Sequence, residues 1–193
     1  YGWGTSGTGI DTHMMKNVEW GAVAYLAKSN YGKTTEITIN NNSDYYTGGG
    51  SGNAYVTNVG QSSTGNIYGI YDISGGAFEY VAAYLNNGHS SLTTYGSSLV
   101  SANAKYKDVY VVDPSDSQVN NYNNTAYKKG DAMWETSSTY TGNNSWFGDD
   151  SIIFYSSYPF LIRGGYYSSS TNAGAFAFHR YNGVTYTYSG FRP

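Results

Sequence analysis

The sequence has no cysteine, three prolines and three histidines, and only 12% of its 193 residues are charged. Without sulfur there is no disulfide framework, thiolate nucleophile, Cys-ligated zinc or iron–sulfur cluster. The charge content is about half of the roughly 25% usual in soluble domains. With 10 basic against 13 acidic side chains the net charge is -3, so the chain lacks the basic surplus that neutralises phosphates, and nucleic acid is excluded as the expected partner. No stretch approaches the roughly 18 apolar residues of a membrane span, so no transmembrane segment is expected in this sequence. Tyr1-Gly2-Trp3 opens it with neither Met nor a basic and apolar signal segment, and reads as the start of a mature or excised piece.

Gly, Ser, Tyr, Asn and Thr make up 109 of the 193 residues, and 23 of these are Tyr. An aromatic content of 18% with 39% hydrophobic residues argues against disorder, which needs a chain too poor in apolar side chains to offset its ordering entropy. A single folded domain over 1–193, with an uncharged polar surface rich in phenols, is the expectation.

Residues 12–29 read as an amphipathic helix: Met14, Val18, Ala22 and Tyr25 share a stripe with Met15, Trp20 and Leu26 beside it, Asp11 or Thr12 can cap the start, and Tyr31-Gly32 supplies a stop. A second helix is expected over 76–86, with Ala77, Tyr80, Val81 and Tyr84 facing inward. Residues 128–138 suit a short helix or loop. Short β-prone runs occur at 36–39, 109–112, 152–155, 160–163, 174–179 and 184–188. Asn182-Gly183 predicts a two-residue hairpin joining the last two runs. Residues 40–65 and 113–150 read as long loops, a length that goes with display or function.

Catalytic signatures are scarce. No Gly-x-Ser-x-Gly elbow, His-Glu-x-x-His, EF-hand loop or Walker-type Gly-Lys-Ser/Thr occurs. The glycines at 48–50 and 52 lack the Lys and helix signal of a phosphate loop, and Asp149-Asp150 fits a solvated acidic corner as well as a metal site. His13 reads as a surface or capping residue and His89 as a solvated turn residue. For His179 a binding role and a satisfied surface role both fit.

The remaining signal is a concentration of phenols and small polar residues near the C-terminus. Tyr166, Tyr167, Ser168, Ser169, Ser170, Thr171 and Asn172 stand in a row, followed by Tyr181, Asn182, Tyr186 and Tyr188. Tyr gives large amphipathic contact area at low entropic cost, and Ser and Asn give adaptable hydrogen bonds, which is paratope chemistry. The alternative is that Tyr and Thr simply suit a solvated strand face. Seven polar residues without alternation favour a binding loop. The ligand-binding expectation covers Tyr166, Tyr167, Ser168, Ser169, Asn172, His179, Tyr181, Tyr186 and Tyr188, with Trp146 from the preceding long loop.

Four segments in order carry a resemblance: Val18-Glu19-Trp20-Gly21-Ala22-Val23-Ala24-Tyr25; Asn66-Ile67-Tyr68-Gly69-Ile70-Tyr71-Asp72-Ile73-Ser74-Gly75-Gly76-Ala77-Phe78-Glu79-Tyr80; Arg163-Gly164-Gly165; and Gly190-Phe191-Arg192. Together they resemble the formylglycine-generating enzyme (sulfatase-modifying factor) family from about residue 18 to 192. The resemblance implies an α+β, C-type-lectin-like fold: a small, twisted, mainly antiparallel sheet with two helices, long irregular loops and neighbouring termini. It implies that Trp20 and Tyr25 pack in the core and that Arg163 and Arg192 anchor strands.

The family's oxidases work through cysteines, which are absent, and the three histidines do not take the spacing of the related iron-dependent sulfoxide synthases. The resemblance therefore implies no catalytic residues and no required cofactor. It points to a structural calcium ion at Ser74, Gly76 and Glu79, although Gly76 stands where the family has Asn and Glu79 also suits a plain helix-start carboxylate. Two non-enzymatic groups are similar: the variable proteins of diversity-generating retroelements, whose mutable window corresponds to 166–189, and lectin-like domains of bacterial appendages and phage adhesins, including pilin-like proteins.

The expected function is accordingly an extracellular or cell-surface module, bacterial or phage, that recognises a protein or glycan on another cell or surface. A structural or tip subunit of a pilus-like appendage, with sister subunits or a homo-oligomer as partners, is the alternative. An enzyme with a relocated site on the same scaffold is the third reading.

Overall fold

Strand β1 (Phe78–Leu85) is the centre of the computed structural model, which describes residues 12–115, 122–123 and 128–193. The other strands are β2 (Asp108–Tyr110), β3 (Phe160–Gly164), β4 (Gly174–Tyr181) and β5 (Ser189–Phe191). The sheet runs β2-β1-β3-β4, with β5 also on β1. Pairing is antiparallel for β1/β3 and β3/β4 but parallel for β1/β2 and β1/β5. The fold is α+β with a mixed, open five-stranded sheet, so the expected antiparallel dominance is replaced by an even mixture.

The strand at β1 corrects the helix expected over 76–86. Five consecutive residues, Val81 to Leu85, are buried, because both faces of the strand are covered. An apolar run buried on two faces satisfies helical spacing by coincidence, and periodicity alone does not separate the two cases. One edge of β1 is divided among three segments: β5 along Phe78–Tyr80, the carbonyl of Met15 accepting from Ala82 N–H at 2.8 Å, and β2 along Ala83–Leu85.

That middle contact explains why helix α1 spans Asn17–Lys28 rather than starting near 12. Met15 is extended between β1 and the last strand, its N–H donating to the Arg192 carbonyl at 2.9 Å. The helix begins where Glu19 turns back to accept from Lys16 N–H at 2.8 Å; Asp11 lies outside the described residues. The buried stripe is Asn17, Trp20, Gly21, Ala24 and Ala27, not the expected one: Ala22 and Leu26 are exposed and Tyr25 is half-buried. Small residues let the helix lie close to its neighbours. Among the described residues the other α-helices, α2 (Ala54–Thr57), α3 (Ser91–Thr94) and α4 (Ser97–Ser101), are single turns.

The main core lies between α1, one face of the sheet and the 131–154 segment, with Trp20, Val81, Leu85, Tyr110, Met133, Phe154, Leu161 and Phe178 buried together. Trp20 Nε1 donates to the Ala175 carbonyl at 2.8 Å. Arg163 is fully buried, its guanidinium 5.8 and 5.7 Å from the rings of Trp20 and Phe178. The opposite face carries a smaller cluster of Tyr84, Leu92 and Phe160.

Residues 36–39 and 152–155 form no strands, though they place Ile37, Ile153 and Phe154 in the core. The expected hairpin at Asn182-Gly183 is also replaced. Asn182 Oδ1 accepts from Val184 N–H at 3.1 Å, the Val184 carbonyl accepts from the Tyr80 hydroxyl at 2.9 Å, and the chain crosses the sheet to add β5 beside β1. The open edge of β1 competes successfully with local hairpin closure, since a central strand needs its ladder filled.

Candidate ligand-binding face

The sheet face opposite α1 places Phe78 and Tyr80 of β1 beside Tyr181 of β4, because alternate strand residues share a side. Around them the C-terminal tyrosines form a connected series. Tyr186 and Tyr188 stack at 5.2 Å and 11°, and Tyr181 meets Tyr186 edge-on at 5.6 Å. Tyr166 packs on Phe78 at 4.6 Å and on Tyr188 at 5.2 Å, then continues through Tyr167 to Tyr45. Tyr45 and Tyr186 are exposed, and Tyr166, Tyr167, Tyr181 and Tyr188 are half-buried.

Local turns hold this surface. Gly75, Gly76, Gly164 and Gly165 all have positive φ, and Gly75 N–H donates to the Gly164 carbonyl at 2.9 Å, so the two Gly-Gly motifs meet where β1 and β3 leave the sheet. Tyr167 N–H donates to the Gly76 carbonyl at 2.7 Å, and Ser169 Oγ accepts from Tyr166 N–H at 3.0 Å. Asn172 accepts through Oδ1 from Asn143 Nδ2 at 2.7 Å. His179 Nδ1 and Asp150 Oδ2 are 2.6 Å apart. Ser168 is exposed beside them. Burial, reinforced by the neighbouring phenols Tyr186 and Tyr188, pushes the Tyr181 hydroxyl well above the ordinary tyrosine range.

The structure thus gathers the expected tyrosines, adds Phe78, Tyr80 and Tyr45, and leaves Trp146 apart. Trp146 packs on Phe176 at 5.0 Å and on Tyr25 at 6.0 Å, beside α1. Phe78 and Tyr80 escaped sequence reasoning because their strand was read as a helix. Tyr45 had one signal, its place in a long loop.

The three positions expected for calcium each hold a protein partner. The Ser74 carbonyl accepts from Asn40 N–H at 2.8 Å, the Gly76 carbonyl accepts from Tyr167 N–H at 2.7 Å, and Glu79 faces Arg192 at 2.5–2.6 Å through both carboxylate oxygens. With its only carboxylate engaged by a guanidinium, this donor set does not fit a calcium ion without rearrangement. Burial lifts the Glu79 carboxyl to about 7 against the pull of Arg192. Among the described residues no group of three His, Cys, Asp or Glu is placed to hold a metal.

His13 meets Glu19, His89 meets Ser91 Oγ and His179 meets Asp150. No described hydrogen bonds assemble hydroxyl, imidazole and carboxylate in series, the arrangement that activates a nucleophile. No family model, curated protein or solved structure matches the chain.

Proposed function

We propose that this chain is a non-enzymatic, surface-displayed module with a C-type-lectin-like fold, recognising a protein or glycan through its tyrosine-rich C-terminal face. It acts outside the cell, on a bacterial or phage surface. The observation that carries the reading is the connected series from Tyr45 through Tyr167, Tyr166 and Tyr188 to Tyr186 and Tyr181, in which neighbouring rings lie 5.2–5.7 Å apart. Phenols fixed by one another lose little entropy on binding, and their hydroxyls with Ser168 offer hydrogen bonds without fixed charge. Contacts of this type serve a ligand or a sister subunit of an appendage alike.

The experiment is to change Tyr167, Tyr181 and Tyr186 singly to Ala and measure melting temperature and binding to partner cells. The reading expects at least one variant to lose on the order of 2 kcal/mol of binding while remaining folded. All three variants staying folded with unchanged affinity would move the binding surface elsewhere.

A further inference from the structure

We propose that the tyrosine-rich face takes a neutral sugar, held by two neighbouring hydroxyl groups at a polar corner made by Asn143, Asp150, Asn172 and His179. This rests on that face being the binding surface, and it selects a glycan rather than a protein as partner. The corner is tied to the sheet. Asp150 N–H donates to the Asn172 carbonyl at 3.0 Å, and the Asp150 carbonyl accepts from Phe178 N–H of β4 at 2.9 Å. The Asp150 carboxylate then fixes the imidazole of His179, with Oδ2 2.6 Å from Nδ1. Asn143 Nδ2 donates to Asn172 Oδ1 at 2.7 Å. Among the described residues His179 Nε2 and Asn172 Nδ2 have no protein partner and are not shut off from solvent, and Asn143 is exposed.

These groups define the ligand. Two amides joined to each other keep an N–H donor on Asn172 and a carbonyl acceptor on Asn143 for a third party. A hydroxyl group is donor and acceptor at once and satisfies both, whereas a carboxylate only accepts and an ammonium only donates. Phe78, Asp150, Ser169, Asn172 and His179 line a recess of about 10 Å³, room for one water-sized group. One hydroxyl fills it, and the amide pair is left for the hydroxyl on the neighbouring carbon. Protein anchors are instead Trp, Tyr or Arg side chains in pockets of their own size. The Asp150 carboxylate in the recess wall repels an acidic sugar. Phe78 is another wall, and the rings of Tyr166 and Tyr188 lie 4.6 and 6.1 Å from its own. Their electron-rich faces suit the polarised C–H groups of a pyranose, so stacking and hydrogen bonding act on one sugar ring.

The test is a printed array of neutral, sialylated and sulfated oligosaccharides, probed with the fluorescently labelled whole chain. The expected result is saturable binding to neutral glycans that share a terminal sugar, abolished when periodate cleaves their vicinal diols. Asn172→Ala and His179→Ala each weaken it about tenfold, and Tyr31→Ala, at a side chain 90% exposed after α1, leaves it unchanged. Melting temperatures establish that each variant is folded, and Asn143→Ala repeats the loss at an exposed position. Absence of binding to every neutral glycan, preference for the acidic ones, or binding unaffected by both Asn172→Ala and His179→Ala overturns the sugar corner. Cell binding that is lost with Tyr186→Ala and on proteinase treatment of the cells, but survives periodate, leaves the tyrosine face with a protein partner and overturns the sugar. Glycan binding lost in the corner variants but unchanged by Tyr167→Ala, Tyr181→Ala and Tyr186→Ala keeps the corner and removes the tyrosine face.

Discussion

Arg192 closes the last strand onto Glu79: Nε and one terminal nitrogen lie 2.5 and 2.6 Å from the two carboxylate oxygens, and the same terminal nitrogen donates to the Tyr71 carbonyl at 2.8 Å. This guanidinium joins β5, β1 and the 71–76 turn through one partly buried group. The sequence motifs that contain these residues lie more than a hundred positions apart and are halves of one contact.

Removing one partner strands the other. Arg192→Ala leaves a carboxyl in a desolvated site, and a loss of about 3 kcal/mol is expected. The double change Glu79→Gln with Arg192→Met costs less than the sum of the single changes. Urea denaturation of the four proteins measures the cycle; additive losses show that the pair is uncoupled.

Gly21 sits inside α1, where Ala would ordinarily stabilise the helix by about 1 kcal/mol. Here an added Cβ would stand 2.1 Å from the Gly130 carbonyl oxygen and 2.7 Å from the Asp131 backbone. Packing decides the sign: Gly21→Ala is expected to destabilise by several kcal/mol, as overpacking against backbone does. A melting temperature equal to or above that of the original chain contradicts the close contact.

Asp149 is almost fully buried, accepts from Phe176 N–H at 2.9 Å, and has its carboxyl pushed by burial to about 8. Burial likewise lifts Asp131 to about 6. Between the ordinary carboxyl range and these values the folded chain keeps protons that the unfolded chain has released. Stability from these groups is therefore full at acidic pH and declines as pH rises through about 6 and 8. Asp149→Asn keeps an acceptor for Phe176 and removes the ionisation, so the decline toward pH 8 flattens. Denaturant midpoints at pH 5 and pH 8 check this; an unchanged pH slope in the variant excludes Asp149 as its source.

Calcium at Ser74, Gly76 and Glu79 would have to displace Arg192 and Tyr167 N–H from their partners. Thermal melts with calcium or a chelator are expected to superimpose, because an ion that binds only the folded state raises the melting temperature. A clear rise with calcium that disappears in Glu79→Gln would show that the ion outcompetes Arg192.

Composition and spacing determined a good deal by themselves. The uncharged, phenol-rich surface, helix α1 around Trp20, the strands at 160–164 and 174–181, and the membership of most of the tyrosine face were legible because each depends on residue type or on neighbours in the chain. Contacts made elsewhere in the chain decided the rest. Phe78–Leu85 became a strand because both its faces and both its edges found cover, residues 184–188 left the hairpin path to place β5 on β1, and Met15 was drawn into the sheet edge instead of the helix. Trp146 joined Tyr25 and Phe176 for the same reason. A local pattern offers alternatives of nearly equal energy, and long-range burial and backbone hydrogen bonding choose among them.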